Sequence, residues 1–244
     1  MKLIACLFLI GISVSAVAQH DKREDHRDRK ERMKDFMPYI TRSLGGSIQS
    51  FDGLNARVAN LPQYKQLKDY AATIGLGMMH NYKQIITNAG LTLGSSMSGD
   101  RDERSSTIRY IGVNADLGYD VIKDERIMLY PMIGLGAQKY QALFYRDNSA
   151  VNFNDVLNSP AIQNSISSVR FNNGFLMYRL GIGFALKSPK YPAAIGINAG
   201  YTGSFRRNDW KSNEGQTLAN SPTDRVDQFY ISIVLINKPW MMKM

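Results

Sequence analysis

The chain has 244 residues, a formal net charge of +9, 44% apolar and 21% charged side chains, and 8 prolines. That balance excludes bulk disorder and collagen-like repeats and fits one ordered domain. The single cysteine, Cys6, lies in the apolar start of the chain, so everything after residue 18 lacks a disulfide, a thiol nucleophile and a cysteine metal site.

Residues 1–18, MKLIACLFLIGISVSAVA, have a charged start at Lys2, an apolar core from Leu3 to Val14, and small residues at Ala16 and Ala18. This pattern predicts a secretory signal peptide cut before Gln19. A lipoprotein signal would need its cysteine just after the apolar core, and Cys6 lies inside it. Residues 19–38 are then a tail; within it His20 to Asp35 carry seven basic and six acidic side chains and almost no apolar surface. Such a segment cannot repay the entropy of ordering and reads as flexible and solvated. No later stretch approaches the ~18 continuous apolar residues of a membrane helix. A soluble exported domain or a closed β-barrel remains, the barrel being the other fold that satisfies its backbone inside lipid.

From Tyr39 onward the hydrophobic pattern has period two. Ile127, Leu129, Ile133 and Leu135 alternate with Tyr130, Met132, Gly134 and Gly136; Leu176, Tyr178, Leu180, Ile182, Phe184 and Leu186 alternate with Met177, Arg179, Gly181, Gly183 and Ala185. Ile195, Ile197, Ala199 and Tyr201 do the same, as do Phe229, Ile231, Ile233 and Leu235. Eight strands follow, over roughly 39–49, 71–80, 84–97, 105–122, 126–145, 169–187, 191–206 and 227–238, each about as long as the ~9–11 residues a tilted strand needs to cross a bilayer. The connections alternate between long or medium (50–70, the medium 98–104, 146–168, 207–226) and short (81–83, 123–125, 188–190). An even strand number leaves both termini at the short-turn end.

This architecture resembles the small eight-stranded outer-membrane β-barrels of Gram-negative bacteria, similar in plan to the OmpA and OmpX barrels, over residues 39–240. The segment Phe51-Asp52-Gly53-Leu54-Asn55-Ala56-Arg57 looks like one seen in some of these families. The resemblance implies an all-β, antiparallel, up-and-down transmembrane barrel in the outer membrane, with tail and termini in the periplasm and the long loops outside. Such barrels end on an aromatic residue that the assembly machinery reads. Here Trp240 is followed by Met241, Met242, Lys243 and Met244, so that part falls to Trp240 or to Phe229 and Tyr230.

Eight strands leave an interior just wide enough for side chains. The parity assigned to the interior is glycine-rich, with polar neighbours at Asn88, Asn114, Asp116, Asp120, Gln138, Arg179 and Asn198. Counting from the turns puts Arg179 and Asp116 at similar depth. An ion pair in a plugged, non-conducting lumen is expected, because a lone buried charge would be strongly destabilising. Tyr39, Tyr82, Tyr119, Tyr130, Tyr191 and Trp240 are expected to form an outward aromatic girdle at the short-turn end, and Tyr145, Phe171, Phe175, Phe205 and Phe229 one at the loop end.

No catalytic, cofactor-binding or metal-binding residue is assigned. His80 sits beside the 81–83 turn, the wrong end for barrels that modify lipid A, and the long loops contain no histidine. Leu54, Val58 and Leu61, at i, i+4 and i+7, followed by Tyr64, predict a short amphipathic helix over the mouth, either a lid or a protein-docking surface. Arg101, Arg104, Arg146, Arg170, Arg206 and Arg207 are candidate contacts to lipopolysaccharide phosphates. Nucleic acid is not an expected partner, since the positive charge is spread. The expectation is a non-enzymatic outer-membrane barrel, either a structural or adhesion element or an accessory subunit of a larger outer-membrane complex. A narrow channel or a binder of a small amphipathic ligand is the alternative, with a lipid A-modifying enzyme behind it.

Overall fold

The computed structural model describes residues 38–99, 103–191 and 193–238. The predicted signal peptide, most of the charged tail, Arg101 and Trp240 lie outside them. Eight long strands carry the fold: β1 (Tyr39–Gln49), β2 (Tyr70–Tyr82), β3 (Ile85–Gly99), β4 (Ser105–Tyr119), β5 (Ile127–Tyr145), β6 (Val169–Lys187), β7 (Ala193–Ser204) and β8 (Asp227–Asn237). Each pairs antiparallel with its neighbours in the chain, and β8 pairs with β1 to close the barrel. This is the predicted eight-stranded up-and-down barrel.

Two boundaries differ for local reasons. Asn81 and Tyr82 stay in register with Ile86 and Ile85, so the predicted 81–83 turn moves to Lys83, which takes a positive φ of 58°. β4 stops at Tyr119, short of the predicted residue 122, because the Asp120 carboxylate turns back to accept from the backbone N–H groups of Ile122 and Leu129.

The outward parity is apolar on every strand. Leu44, Ile74, Leu93, Val113, Ile133, Leu180, Ile197 and Ile231 all face outward and are exposed, Leu44 by 66% and Ile133 by 60%. Soluble proteins rarely expose a contiguous apolar patch above a few hundred Å², and here the patch encircles the barrel. Such a wall is compatible with lipid, and a soluble antiparallel sheet would place polar residues there.

Inside, glycines make room for large aromatic rings. A side chain at Gly94 would collide with the ring of Tyr110, and one at Gly183 with that of Tyr130. The large rings and methionines gather in two apolar clusters separated by a polar layer. At the loop end Phe51, Leu54, Val58, Ile108, Tyr140, Phe144, Phe175, Met177 and Trp210 pack together. At the turn end the cluster is Met79, Ile86, Met128, Tyr130, Met132, Val234 and Ile236.

The aromatic expectation is corrected accordingly. Tyr82, Tyr119, Tyr191, Phe205 and Phe229 are exposed, whereas Tyr130 and Phe175 are buried in the interior clusters, and Tyr39 and Phe171 pack against them. Tyr130 fills the space left by Gly183 and Gly118, and the other three fall on positions whose side chains pack into or against the interior clusters.

Candidate functional site

The polar layer holds one buried ion pair. Asp116 on β4 and Arg179 on β6 both point inward, and Arg179 Nε donates to Asp116 Oδ1 at 2.9 Å. The other carboxylate oxygen accepts from Asn88 Nδ2 (3.2 Å) and Asn114 Nδ2 (2.6 Å). The guanidinium also lies over the Tyr230 ring, 4.9 Å from its centroid, a favourable arrangement when desolvated. Asn198 lies nearby, accepting from the Tyr130 hydroxyl at 3.0 Å.

Gln138 belongs to a second group nearer the loop end. Its amide donates to Gln228 Oε1 (3.1 Å) and its carbonyl accepts from the Tyr140 hydroxyl (2.6 Å). Gln228 in turn donates to Gln49 and to Tyr110, and Ser47 donates to Gln49. Residue types on the inward parity point to Gln138; Gln49, Ser47 and Gln228 are not singled out by the sequence, although all three fall on that parity. Asp120 is part of the β4–β5 turn instead. It is buried there, with Lys187 Nζ at 3.8 Å, and does not reach the central layer.

Between the apolar clusters lies a cavity of about 90 Å³ lined by Thr41, Asn88, Asn114, Gln138, Arg179, Asn198 and Tyr230 among others. Ligand pockets run to ~300–1,000 Å³, so this space suits a few waters. It is bounded by apolar packing toward both ends of the barrel.

The loop end is closed by a cap. Helix α1 (Asp52–Ala59) begins after Phe51, which has no side-chain oxygen to satisfy the first-turn N–H groups. Asp224 supplies the missing acceptor from the last long loop. Its Oδ1 accepts from Gly53 N at 2.6 Å, and its Oδ2 from Leu54 N at 3.0 Å and from Trp210 Nε1 at 2.7 Å. One carboxylate thus ties the first loop to the last. Burial pushes its pKa above the usual carboxylate range, against the opposing pull of the three donors. Phe51 then meets Tyr140 and Trp210 edge-on, at ring-centroid distances of 5.1 and 5.6 Å.

The helix predicted over the mouth is therefore present, and its apolar stripe is used by the barrel itself. Leu54 and Val58 are buried in the loop-end cluster, Tyr64 packs edge-on against Phe144, and Leu61 is exposed. A docking surface made of Leu54, Val58, Leu61 and Tyr64 is corrected on this point, since three of the four are occupied within the cap.

Two of the candidate phosphate-binding arginines also support the cap. Arg146 Nε donates to the Tyr64 hydroxyl at 2.9 Å, with its guanidinium 5.4 Å from that ring's centroid, and Arg104 donates to the Pro62 carbonyl. Arg170 donates to Ser168 Oγ at 3.2 Å, and Arg206 and Arg207 are exposed. Two short helices, α2 (Phe153–Asn158) and α3 (Pro160–Ser165), occupy the 146–168 loop. On α2, Phe153 is 75% and Leu157 63% exposed. His80 lies on β2 opposite Thr87, near the short-turn end. Among the described residues no group of three or more His, Asp or Glu is placed to hold a metal ion.

No protein-family model matches the chain, and no curated protein does. Among solved structures it is similar to Ail, the attachment invasion locus protein of Yersinia pestis, crystallised with the heparin analogue sucrose octasulfate (15% identity, 82% of this chain and 99% of that one, TM-score 0.44). It is also similar to Neisserial surface protein A (10% identity, 83% and 97%, TM-score 0.43). A third is a major outer membrane protein from Thermus thermophilus (9% identity, 81% and 99%, TM-score 0.44). The eight-stranded closure itself stands on this chain's own strand pairing.

Proposed function

We propose that this protein is a non-enzymatic, non-conducting barrel of the outer membrane, exported by a cleaved signal peptide, with its termini in the periplasm and its long loops outside. It acts through its outer surfaces, as a structural or adhesion element or as an accessory subunit of a larger outer-membrane complex, and it contacts lipopolysaccharide there. The observation that carries this reading is the double closure of the lumen. A polar cavity of about 90 Å³ lies between two apolar clusters, which supports a lumen closed to ions and too small for an amphipathic ligand. What the molecule offers to others is its wall and its loops, where Phe153 and Leu157 stand exposed on α2. Exposed apolar side chains of this kind mark a surface that a partner can cover.

The test is mild-detergent extraction of the tagged protein from outer membranes, followed by affinity capture and by electrophoresis with and without boiling. The expected result is outer-membrane fractionation, a heat-dependent mobility shift, and a stoichiometric partner that Phe153→Ser with Leu157→Ser releases. A soluble protein without the shift refutes the membrane assignment. Stable unit conductance of the purified protein in a planar bilayer refutes the closed lumen.

A further inference from the structure

The outward apolar band ends at Ile111 on β4, Ala137 on β5 and Leu176 on β6; the next outward positions toward the loop end are Arg109, Lys139 and Gly174. In the ladders Lys139 stands opposite both Ile111 and Gly174, so its charge lies on the upper edge of the lipid-compatible wall. Over this edge hangs the start of the last long loop. It is pinned to β6 by Asn208 donating to the Gly174 carbonyl, by Asn173 donating to the Asn208 carbonyl at 2.9 Å, and by a short ladder pairing Lys211 with Asn172.

The overhang and the wall border an open groove of about 1120 Å³, to which Lys139, Arg206 and Lys211 contribute charge and Val113, Ala137 and Leu176 an apolar floor. Asp209 and Glu214 also line it, yet among the described residues no carboxylate lies within 4.0 Å of these three cations. Gly174 opens its centre, where an added Cβ would meet only the Gln138 carbonyl oxygen, at 3.9 Å.

We propose that this groove seats lipid A, the phosphorylated and acylated anchor of lipopolysaccharide. An acyl chain lies along Val113, Ala137 and Leu176, and phosphate is held by Lys139, Arg206 and Lys211, arginine as a planar fork and lysine as a point charge. Cations supplied from two elements, the wall and the overhang, suit a headgroup bearing two phosphates better than a phospholipid bearing one. The assignment rests on the proposed orientation, which puts the loop end in the outer leaflet.

The experiment is native mass spectrometry of the full mature protein, folded in detergent. The probes are bis-phosphorylated lipid A, the same lipid stripped of its phosphates, and phosphatidylglycerol, with heat-dependent gel mobility measured on every sample. One lipid A is expected to be retained. Apparent affinity should fall about tenfold or more, equivalent to ~1.4 kcal/mol, on removing the phosphates, in the combined variant Lys139→Gln, Arg206→Gln, Lys211→Gln, and in Gly174→Leu, which fills the groove. The single variant Lys139→Gln replaces the combined one if that fails to show the mobility shift. Retention that is unchanged in the variants, or equal retention of phosphatidylglycerol, overturns the groove assignment while the shift persists. Loss of the shift in the unmodified protein overturns the barrel reading itself.

Discussion

Replacing Arg179 by alanine tests the architecture of the interior. The Asp116 and Arg179 side chains are 2% and 16% exposed and 2.9 Å apart, so the variant leaves a carboxylate with little access to water. Breaking a buried pair by removing one partner costs ~3–5 kcal/mol. Here Asn88 and Asn114 still donate to the other carboxylate oxygen, which places the expected loss at the low end, about 3 kcal/mol. Changing Asp116 to asparagine in the Arg179→Ala background removes the orphaned charge, so the double variant should be more stable than the sum of the single losses, by ~2 kcal/mol of coupling. Urea unfolding in lipid vesicles, followed by the fraction of protein with folded gel mobility, measures both quantities. A single-variant loss below about 1 kcal/mol, or strict additivity, would refute the charge-pair argument. Conductance should remain absent in Arg179→Ala, because Met79, Ile86 and Met128 still close the turn end.

Asp224→Ala removes an acceptor of three N–H groups and should loosen the cap by about 2 kcal/mol; it is read as faster proteolysis of the 50–69 loop, with the barrel's mobility shift retained. Because its folded pKa is raised, the proton on Asp224 adds stability that is complete below the unfolded carboxylate value and is lost as pH rises through the folded one. Protease protection of the cap should therefore rise as pH falls toward the unfolded carboxylate value, and Asp224→Asn should abolish that dependence. Asp124 has the opposite sign. It accepts from the backbone N–H groups of Arg126 and Ile127 at 2.6 and 2.9 Å, which hold its pKa low. Its contribution to the β4–β5 turn is present above the unfolded carboxylate value and lost as pH falls through the folded one, which amide chemical shifts of Arg126 and Ile127 will report. Gly183→Leu drives a side chain into the Tyr130 ring, and the expected outcome is failure to acquire the heat-modifiable form, with Tyr130→Ala restoring it in part.

Strand positions are legible because a barrel wall imposes period two along its whole length. The end of β4 is not, because Val121 and Ile122 continue the apolar pattern and only the side chain of Asp120 ends the strand. The aromatic residues mislead for a different reason. Position along the strand marks a girdle, but parity decides the face, and Tyr130 shares its parity with Met128 and Met132 in the turn-end cluster. The cap is half legible. Leu54 and Val58 announce a helix with one apolar face, whereas Asp224, about 170 positions further on, carries no local signal in Thr223-Asp224-Arg225. Its role follows only from asking which group satisfies a helix start that Phe51 cannot cap.

The interior and the surface follow opposite chemical rules, and that contrast bears on function. Inside, the Arg179–Asp116 pair, the Gln138–Gln228–Gln49 chain and the two apolar clusters link strands distant in sequence, and the polar atoms left there without a hydrogen-bond partner among the described residues, such as Gln49 Nε2 and Thr202 Oγ1, are neutral. Outside, Lys139, Arg206 and Lys211 have no carboxylate within 4.0 Å among the described residues, and Phe153 and Leu157 have no apolar cover. A protein that moved ions through its lumen would leave unmatched charge there, as a channel leaves a wetted path. Unmatched charge at the edge of the apolar band and unmatched apolar area on a loop helix instead require complements from the surroundings. A lipid phosphate and a protein surface are complements that an outer membrane supplies, so lipid retention and partner capture are the measurements that bear most directly on what this barrel does.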